Sequence, residues 1–247
     1  MLLLTAAFFG GGLNAIAGGG SFFTLPALVY AGLPPVTANA TGTVALLPGY
    51  LASTWGFRED LKTYLAQPGA LPIGLLSMVS LAGGTLGALL LLATPDRTFR
   101  SIIPWLLLLA TLLFAVGPWL LRQLKPNSGA ASAKIQALSV FLVCIYGGYF
   151  NGGLGIILLA AFSLLGYVNL NSMNALKNAV SALLTSIAVA VYAVGGAVAW
   201  KQAAGMMLAA MMGGYVAARV ARRLPAVFVR LFVIAVGLTM TVLFFLR

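Results

Sequence analysis

The chain has 247 residues, of which 62% are hydrophobic and 7% charged, with a net charge of +11 and no histidine. A soluble domain carries roughly 25% charged residues, so the composition excludes one and describes an all-α polytopic membrane protein with nearly no soluble part. Its basic residues stand singly at the ends of apolar runs, which is membrane-topology charge and not a nucleic-acid surface. Cys144 is alone, which excludes an internal disulfide and a thiolate metal cluster. Without histidine, the usual membrane-enzyme bases and most transition-metal sites are also gone, so no metal and no cofactor is expected.

Met1-Leu2-Leu3-Leu4 has no basic leader and no clear cleavage site, and reads as helix. Eight apolar segments follow in order: 2–31, 37–55, 69–92, 99–121, 135–166, 171–194, 201–218 and 226–246. One crossing helix needs about 20 residues. The first and fifth segments are too long for one crossing and too short for two. Glycine splits both, dividing Leu2–Ala17 from Ser21–Ala31 at Gly18-Gly19-Gly20, and Ile135–Phe150 from Leu154–Gly166 at Gly152-Gly153. Non-helical backbone survives at membrane depth only inside protein or beside a water-filled cavity. Both breaks are therefore expected to face a central pocket, with Asn14, Ser21 and Asn151 beside it. The plainer reading is that the glycines allow close helix packing and the asparagines bond between helices.

The pattern occurs twice. Asn39-Ala40-Thr41-Gly42-Thr43 recurs as Asn174-Ala175-Leu176-Lys177-Asn178, while Gly83-Gly84, Pro95 and Arg100 recur as Gly213-Gly214, Pro225 and Arg230. This gives a first transmembrane repeat over 1–121, a polar linker over 122–134 and a second repeat over 135–247. Paired glycine-broken segments in corresponding halves point to a transporter with a central site. If segments one and five cross fully, each half has four crossings and the two share an orientation. If both are re-entrant hairpins, each half has three crossings and the halves are inverted. Full crossings divide the basic residues evenly, 7 to 6, when Lys177 is left out. Hairpins give 8 to 5, gathering Arg58, Lys62, Arg122, Lys125, Lys134, Arg219, Arg222 and Arg223 on one side. Lys/Arg bias sets orientation, which favours the hairpins. Trp55, Trp105, Trp119 and Trp200 sit near segment ends, where interfacial aromatics belong. Gly83-x-x-x-Gly87 and Gly213-x-x-x-Ala217 read as helix contacts.

Lys177 is the one charged residue well inside an apolar segment. An intramembrane ionisable residue is a functional candidate by default, although a lysine stem can also snorkel back to the headgroups. A cation near a helix N-terminus is locally unfavourable unless an anion shares the site. Asn171, Ser172 and Asn174 are placed to cap that helix, and Ser181 shares the Lys177 face at i+4 with Asn178 close by. In the first half Thr37, Asn39, Thr41 and Thr43 form the equivalent turn, and Gly42 gives room where Lys177 gives charge. The candidate substrate-binding set is therefore Lys177, Asn174, Asn178, Ser181, Asn39, Thr41, Thr43, Asn14, Gly18, Gly19, Gly20, Ser21, Asn151, Gly152 and Gly153. Glu59, Asp60 and Asp96 are the only acids and all lie in predicted loops, so no membrane carboxylate is available as a proton relay. The glycine runs are not nucleotide loops, because no Gly-Lys-Ser/Thr follows them. A Ser181–Lys177 nucleophile pair would have no oxyanion site.

Gly18-Gly19-Gly20-Ser21-Phe22-Phe23, Leu25-Pro26, Gly32-Leu33-Pro34-Pro35 and Ala38 to Thr43 together resemble the TauE/SafE family of sulfite and organosulfonate exporters. The second half agrees through Gly152-Gly153-Leu154-Gly155, Asn174 to Asn178, Gly195-Gly196, Trp200, and Ala217 to Pro225. The resemblance covers nearly the whole chain. It implies about eight membrane helices from a duplicated four-helix unit, multi-pass in a bacterial or archaeal cytoplasmic (inner) membrane. It also implies secondary transport, by export, of small anions such as sulfite, sulfoacetate or related organic acids. The partners are then a small anionic substrate and membrane lipid; there is no nucleic acid, and a homo-oligomer is allowed. An anion channel is the rival within transport, and a membrane-embedded enzyme or assembly subunit the rival outside it.

Replacing Glu59, Asp60 and Asp96 together by their amides is expected to leave uptake and its pH dependence intact. Loss of proton coupling in a folded triple variant, measured in proteoliposomes, would place a loop acid in the pathway.

Overall fold

The computed structural model describes residues 1–66, 69–123, 132–167, 169–220 and 226–246. Among these the chain is helical, without a strand. Its elements are α1 (Leu2–Ala17), α2 (Ser21–Tyr30), α3 (Pro35–Gly56), α4 (Arg58–Leu65), α5 (Ile73–Ala93), α6 (Asp96–Gln123), α7 (Ala133–Tyr149), α8 (Leu154–Leu164), α9 (Leu170–Val194), α10 (Trp200–Val220) and α11 (Ala226–Phe245). Two stretches, α5 and Asn171–Val194 of α9, are long and apolar enough to cross a membrane unaided. Residues 124–131 of the expected linker, and Arg222 and Arg223, fall outside the described residues.

The first and fifth apolar segments are each two helices, broken at the glycines. Gly18 ends α1 in the left-handed region at φ 75°, and its N–H caps the helix on the Asn14 carbonyl. The second break uses two left-handed residues, Asn151 at φ 63° and Gly153 at φ 70°. Asparagine is one of the few side-chain-bearing residues that visits this region routinely. Both breaks reverse the chain. A methyl added to Gly10 would lie 2.9 Å from the Gly20 carbonyl oxygen and 3.0 Å from Thr24, so α2 runs back along α1. In the second pair, the Tyr167 hydroxyl beyond α8 donates to Gln136 Oε1 in the first turn of α7 at 2.6 Å. Each pair is a hairpin whose closed end carries the glycines.

Small residues set the main packing. α1 lies on α10, where an added methyl on Gly11 would meet Ala210 Cα at 2.6 Å and one on Gly213 would meet Phe8 Cα at 2.9 Å. α7 lies on α5 in the same manner, with Gly87 against Gly148 Cα at 2.9 Å and Gly83 against the Phe141 carbonyl at 2.7 Å. Lipid tails are as apolar as leucine, so close backbone approach, not hydrophobic exclusion, holds such helices together. α3 also packs on α10, and α9 on α5. The outer faces expose large apolar side chains, among them Leu89, Leu109, Leu142, Leu208, Met212 and Val242. A soluble monomer rarely shows so continuous an apolar surface.

α3 and α9 cross the centre antiparallel. Thr41, near the start of α3, accepts the Ala199 N–H beyond the end of α9 at 3.0 Å. At the other end, Tyr64 in α4 bonds Tyr167 before α9 at 2.8 Å. α4 is an element that hydropathy alone passes over, being short and charged, yet its Tyr64 is fully buried and accepts the Leu71 N–H. The acids are not in loops as expected: Glu59 and Asp60 lie in the first turn of α4 and Asp96 opens α6, where its Oδ1 accepts the Val36 N–H at 2.9 Å and so holds a carboxylate at the N-terminus of α3. An amide at Asp96 keeps that acceptor. All four tryptophans are more than half exposed. Trp105 meets Phe245 edge-to-face, well inside α6, because α6 begins at Asp96, before the apolar run.

Gly213→Leu is expected to abolish accumulation of the protein in the membrane, because the α1–α10 contact has no space for a side chain. Gly74→Ala, at a glycine with nothing within 4 Å, should leave yield unchanged. Equal membrane yields for the two variants would contradict this packing.

Candidate functional site

The closed ends of the two hairpins touch. A methyl on Gly18 would lie 2.9 Å from Gly155 Cα, so the first break rests on the first turn of α8. Ser21 opens α2 and is buried. Gly19 is covered by Leu13 and Phe22, and Gly20 by Leu46 and the Gly10 carbonyl. In the second break the Gly152 carbonyl accepts the Tyr146 hydroxyl, and Gly153 lies against Ala110 of α6. Neither α2 nor α8 has a side-chain cap, and both begin at this junction.

Tyr50 of α3 joins the two breaks. Its hydroxyl donates to Asn151 Oδ1 at 3.1 Å, and the Asn14 side chain is its other polar neighbour. Asn14 lies one turn before the first break and Asn151 lies in the second, and both are buried. Asn14 Oδ1 and Asn151 Nδ2 have no partner. Buried polar atoms are nearly always bonded, so such orphans call for an explanation. Two further orphans, Ser181 Oγ and Thr185 Oγ1, lie on α9. Leu184, beside Thr185, packs on Gly147 in the last turn of α7, which sets this part of α9 level with the second break.

Lys177 is 7% exposed on the same face of α9 as Ser181, at i+4, and near Thr185, at i+8. Among the described residues it has no ion-pair partner, since the ion pairs join Arg58 and Lys62 to Glu59. Asn178 is buried beside it, and Asn174 is half-buried one turn earlier. Lys177, Asn178, Ser181 and Thr185 thus run as a polar stripe along α9 from its N-terminal third towards the breaks.

The first-half motif lies elsewhere. Asn39, Thr41 and Thr43 are inside α3 and not in a turn before it. Asn39 Nδ2 donates to the Tyr149 carbonyl at 3.0 Å, Thr41 serves Ala199, and Thr43 bonds the Asn39 carbonyl within its own helix. Antiparallel packing places Asn39 beside the far end of α9, about 30 Å from Asn174 at roughly 1.5 Å per residue. The expected convergence of these two asparagines is not what the helices give. The two long helices do not offer free N-termini either. Asp96 occupies that of α3, and Asn169, not Asn171, Ser172 or Asn174, caps α9 by accepting the Asn171 and Ser172 N–H groups. Nor does Gly42 give room for a ligand, because Thr24 Oγ1 of α2 would lie 2.9 Å from an added methyl. Tyr50 and Thr185 were missed in the sequence. The 135-residue offset that relates Asn39 to Asn174 also relates Tyr50 to Thr185, and that was the available signal.

The description "Sulfite exporter TauE/SafE" matches residues 3–244. The chain belongs to the TauE/SafE family. A "probable membrane transporter protein ORF9" of Sinorhizobium sp is 30% identical, covering 97% of this chain and 90% of that one. A "probable membrane transporter protein" of Haemophilus influenzae is 27% identical over 97% and 92% of the two chains. The "probable membrane transporter protein YfcA" of Escherichia coli is 26% identical over 90% and 79%. No solved structure matches. TauE/SafE proteins are membrane transporters and not enzymes.

Tyr50→Phe would strip the partner from Asn151 Oδ1. Leaving a buried polar group unmade costs about 1–3 kcal/mol, so a lower unfolding midpoint in detergent is expected with helical content unchanged. A midpoint equal to the parent's would mean that the hydroxyl does not hold the two breaks together.

Proposed function

We propose that this TauE/SafE protein is a secondary transporter that exports a small anion, sulfite, an organosulfonate or a related organic acid, with its substrate site where the two glycine breaks meet. The observation that carries the reading is the contact of Gly18 with Gly155, flanked by buried asparagine atoms that have no partner. Broken helices whose half-helix N-termini face a shared point are how transporters hold anionic groups at membrane depth. The glycines let backbone N–H groups approach the substrate. Asn14, Asn151, Ser181 and Thr185 supply hydrogen bonds, and Lys177 with Asn178 supplies charge and polarity on the way in.

In this reading 1–121 and 135–247 are inverted repeats in a multi-pass arrangement in the inner membrane. The exchange of partners supports it: α1 lies on α10 as α7 lies on α5, and α3 pairs with α10 as α9 does with α5. One hairpin and three crossing helices per half make the halves antiparallel, as α3 and α9 are. The Lys/Arg-rich side, with Arg58, Lys62 and Lys134, is then cytoplasmic. Lys177 lies in the third of α9 nearest that side, where a cation would gather anions for export.

The test is substrate affinity of purified protein and its flux in proteoliposomes. A hydrogen bond to a charged group is worth about 1.5–3 kcal/mol, so Lys177→Met should weaken affinity roughly 10- to 150-fold. Lys177→Arg, which keeps the charge but alters its shape and hydration, should fall between the two. Affinity within about twofold of the parent for Lys177→Met would retire the role and leave Lys177 as a helix-end anchor.

A further inference from the structure

We infer that the substrate is an oxyanion that carries a hydrogen-bond donor of its own, such as a hydroxy-substituted sulfonate or carboxylate, and that Asn14 and Asn151 read that donor. The inference rests on the transport site proposed above and narrows what it takes.

The argument turns on the one proton of Tyr50. A phenol hydroxyl has a single O–H to give and can accept in return. Tyr50 gives its proton to Asn151 Oδ1. Its oxygen then has only acceptor capacity left for the Asn14 side chain, which must approach with its NH2 group. This leaves Asn14 Oδ1 and Asn151 Nδ2, the two atoms found without partners. If Tyr50 gave its proton to Asn14 instead, one amide carbonyl and one amide NH2 would still be left over, with the residues exchanged. As bonded here, the centre offers one acceptor, Asn14 Oδ1, and one donor, Asn151 Nδ2, both buried, one from each half.

A fully ionised oxyanion with no N–H or O–H has nothing to give a carbonyl. It would satisfy the NH2, the hydroxyls of Ser181 and Thr185 and the charge of Lys177, and would press its own lone pairs on Asn14 Oδ1. A hydroxyl or ammonium beside the acid group fills that position. A site built to bond a substrate hydroxyl discriminates strongly against the analogue that lacks it, because its own polar atoms stay unpaired. Thr43 and Thr41 of the first-half motif are already bonded within the protein, so they cannot meet this demand.

The experiment compares matched probes on the unaltered protein in proteoliposomes: ethanesulfonate against 2-hydroxyethanesulfonate, and propionate against lactate. The hydroxylated member of each pair should be favoured at least about tenfold in kcat/KM. Asn14→Leu should bring the preferred member down towards its partner, so that the ratio between the two falls to within about twofold of unity. Equal handling of both members, or preference for the plain anion, would overturn the inference while leaving anion transport standing; a water would then bridge the two amides. If no anion of either pair binds or moves, the anion reading itself fails and this inference with it. Should Asn14→Leu not reach the membrane, the matched pairs on the parent protein decide the question alone.

Discussion

A broken helix in a bilayer has to find partners for its backbone inside the protein, because lipid offers none. Most of this architecture follows from having two such breaks. Each hairpin tip must be buried, and the site that buries one tip is the other tip. Gly18 on Gly155 is that solution. The surrounding helices make the space: α3 and α9 cross beside the tips, and α5 and α10 back the hairpins through contacts that admit only small residues.

The two halves use one plan with different chemistry. Both central helices begin with their first amides already occupied, by the Asp96 carboxylate in one case and the Asn169 side chain in the other. These ends are closed to solute by the protein itself. The starts of α2 and α8 have no side-chain cap. In the proposed reading the capped long helices serve structure and the uncapped short ones recognition. Lys177 breaks the symmetry. Its counterpart Gly42 is pressed against Thr24 of α2, so charge enters the molecule from one half only.

Much of this was legible in the sequence. Both breaks fall at the glycines named from sequence, because glycine runs in long apolar segments have few other uses. The burial of Lys177, Asn178, Ser181, Asn14 and Asn151 also follows from polar residues held inside apolar stretches. What sequence missed are features set by partners far along the chain. Asn39 reads as a turn residue but bonds Tyr149, 110 positions on. Tyr50 reads as an ordinary aromatic until its Asn151 partner is known. α4 escapes a hydropathy scan because its buried tyrosine sits among charges. Helix direction decides whether two motif asparagines meet, and composition does not report direction.

The partner exchange has a consequence for biogenesis. α1 makes its principal contact with α10, so the first hairpin is synthesised and inserted long before the helix that packs on it exists. Chains emerge N-terminal end first, and the Gly18–Gly20 tip must wait for α10 and for its own contact, Gly155. Of the two hairpins, the second is the one whose long helix, α7, finds its main partner, α5, already made. The second half is therefore the one that assembles promptly, and the first is completed from the C-terminal side. A ribosome-stalled chain ending before Trp200 would hold a settled α5–α7 pair and an unsettled α1–α2 hairpin, open to insertase contacts and to protease until α10 arrives.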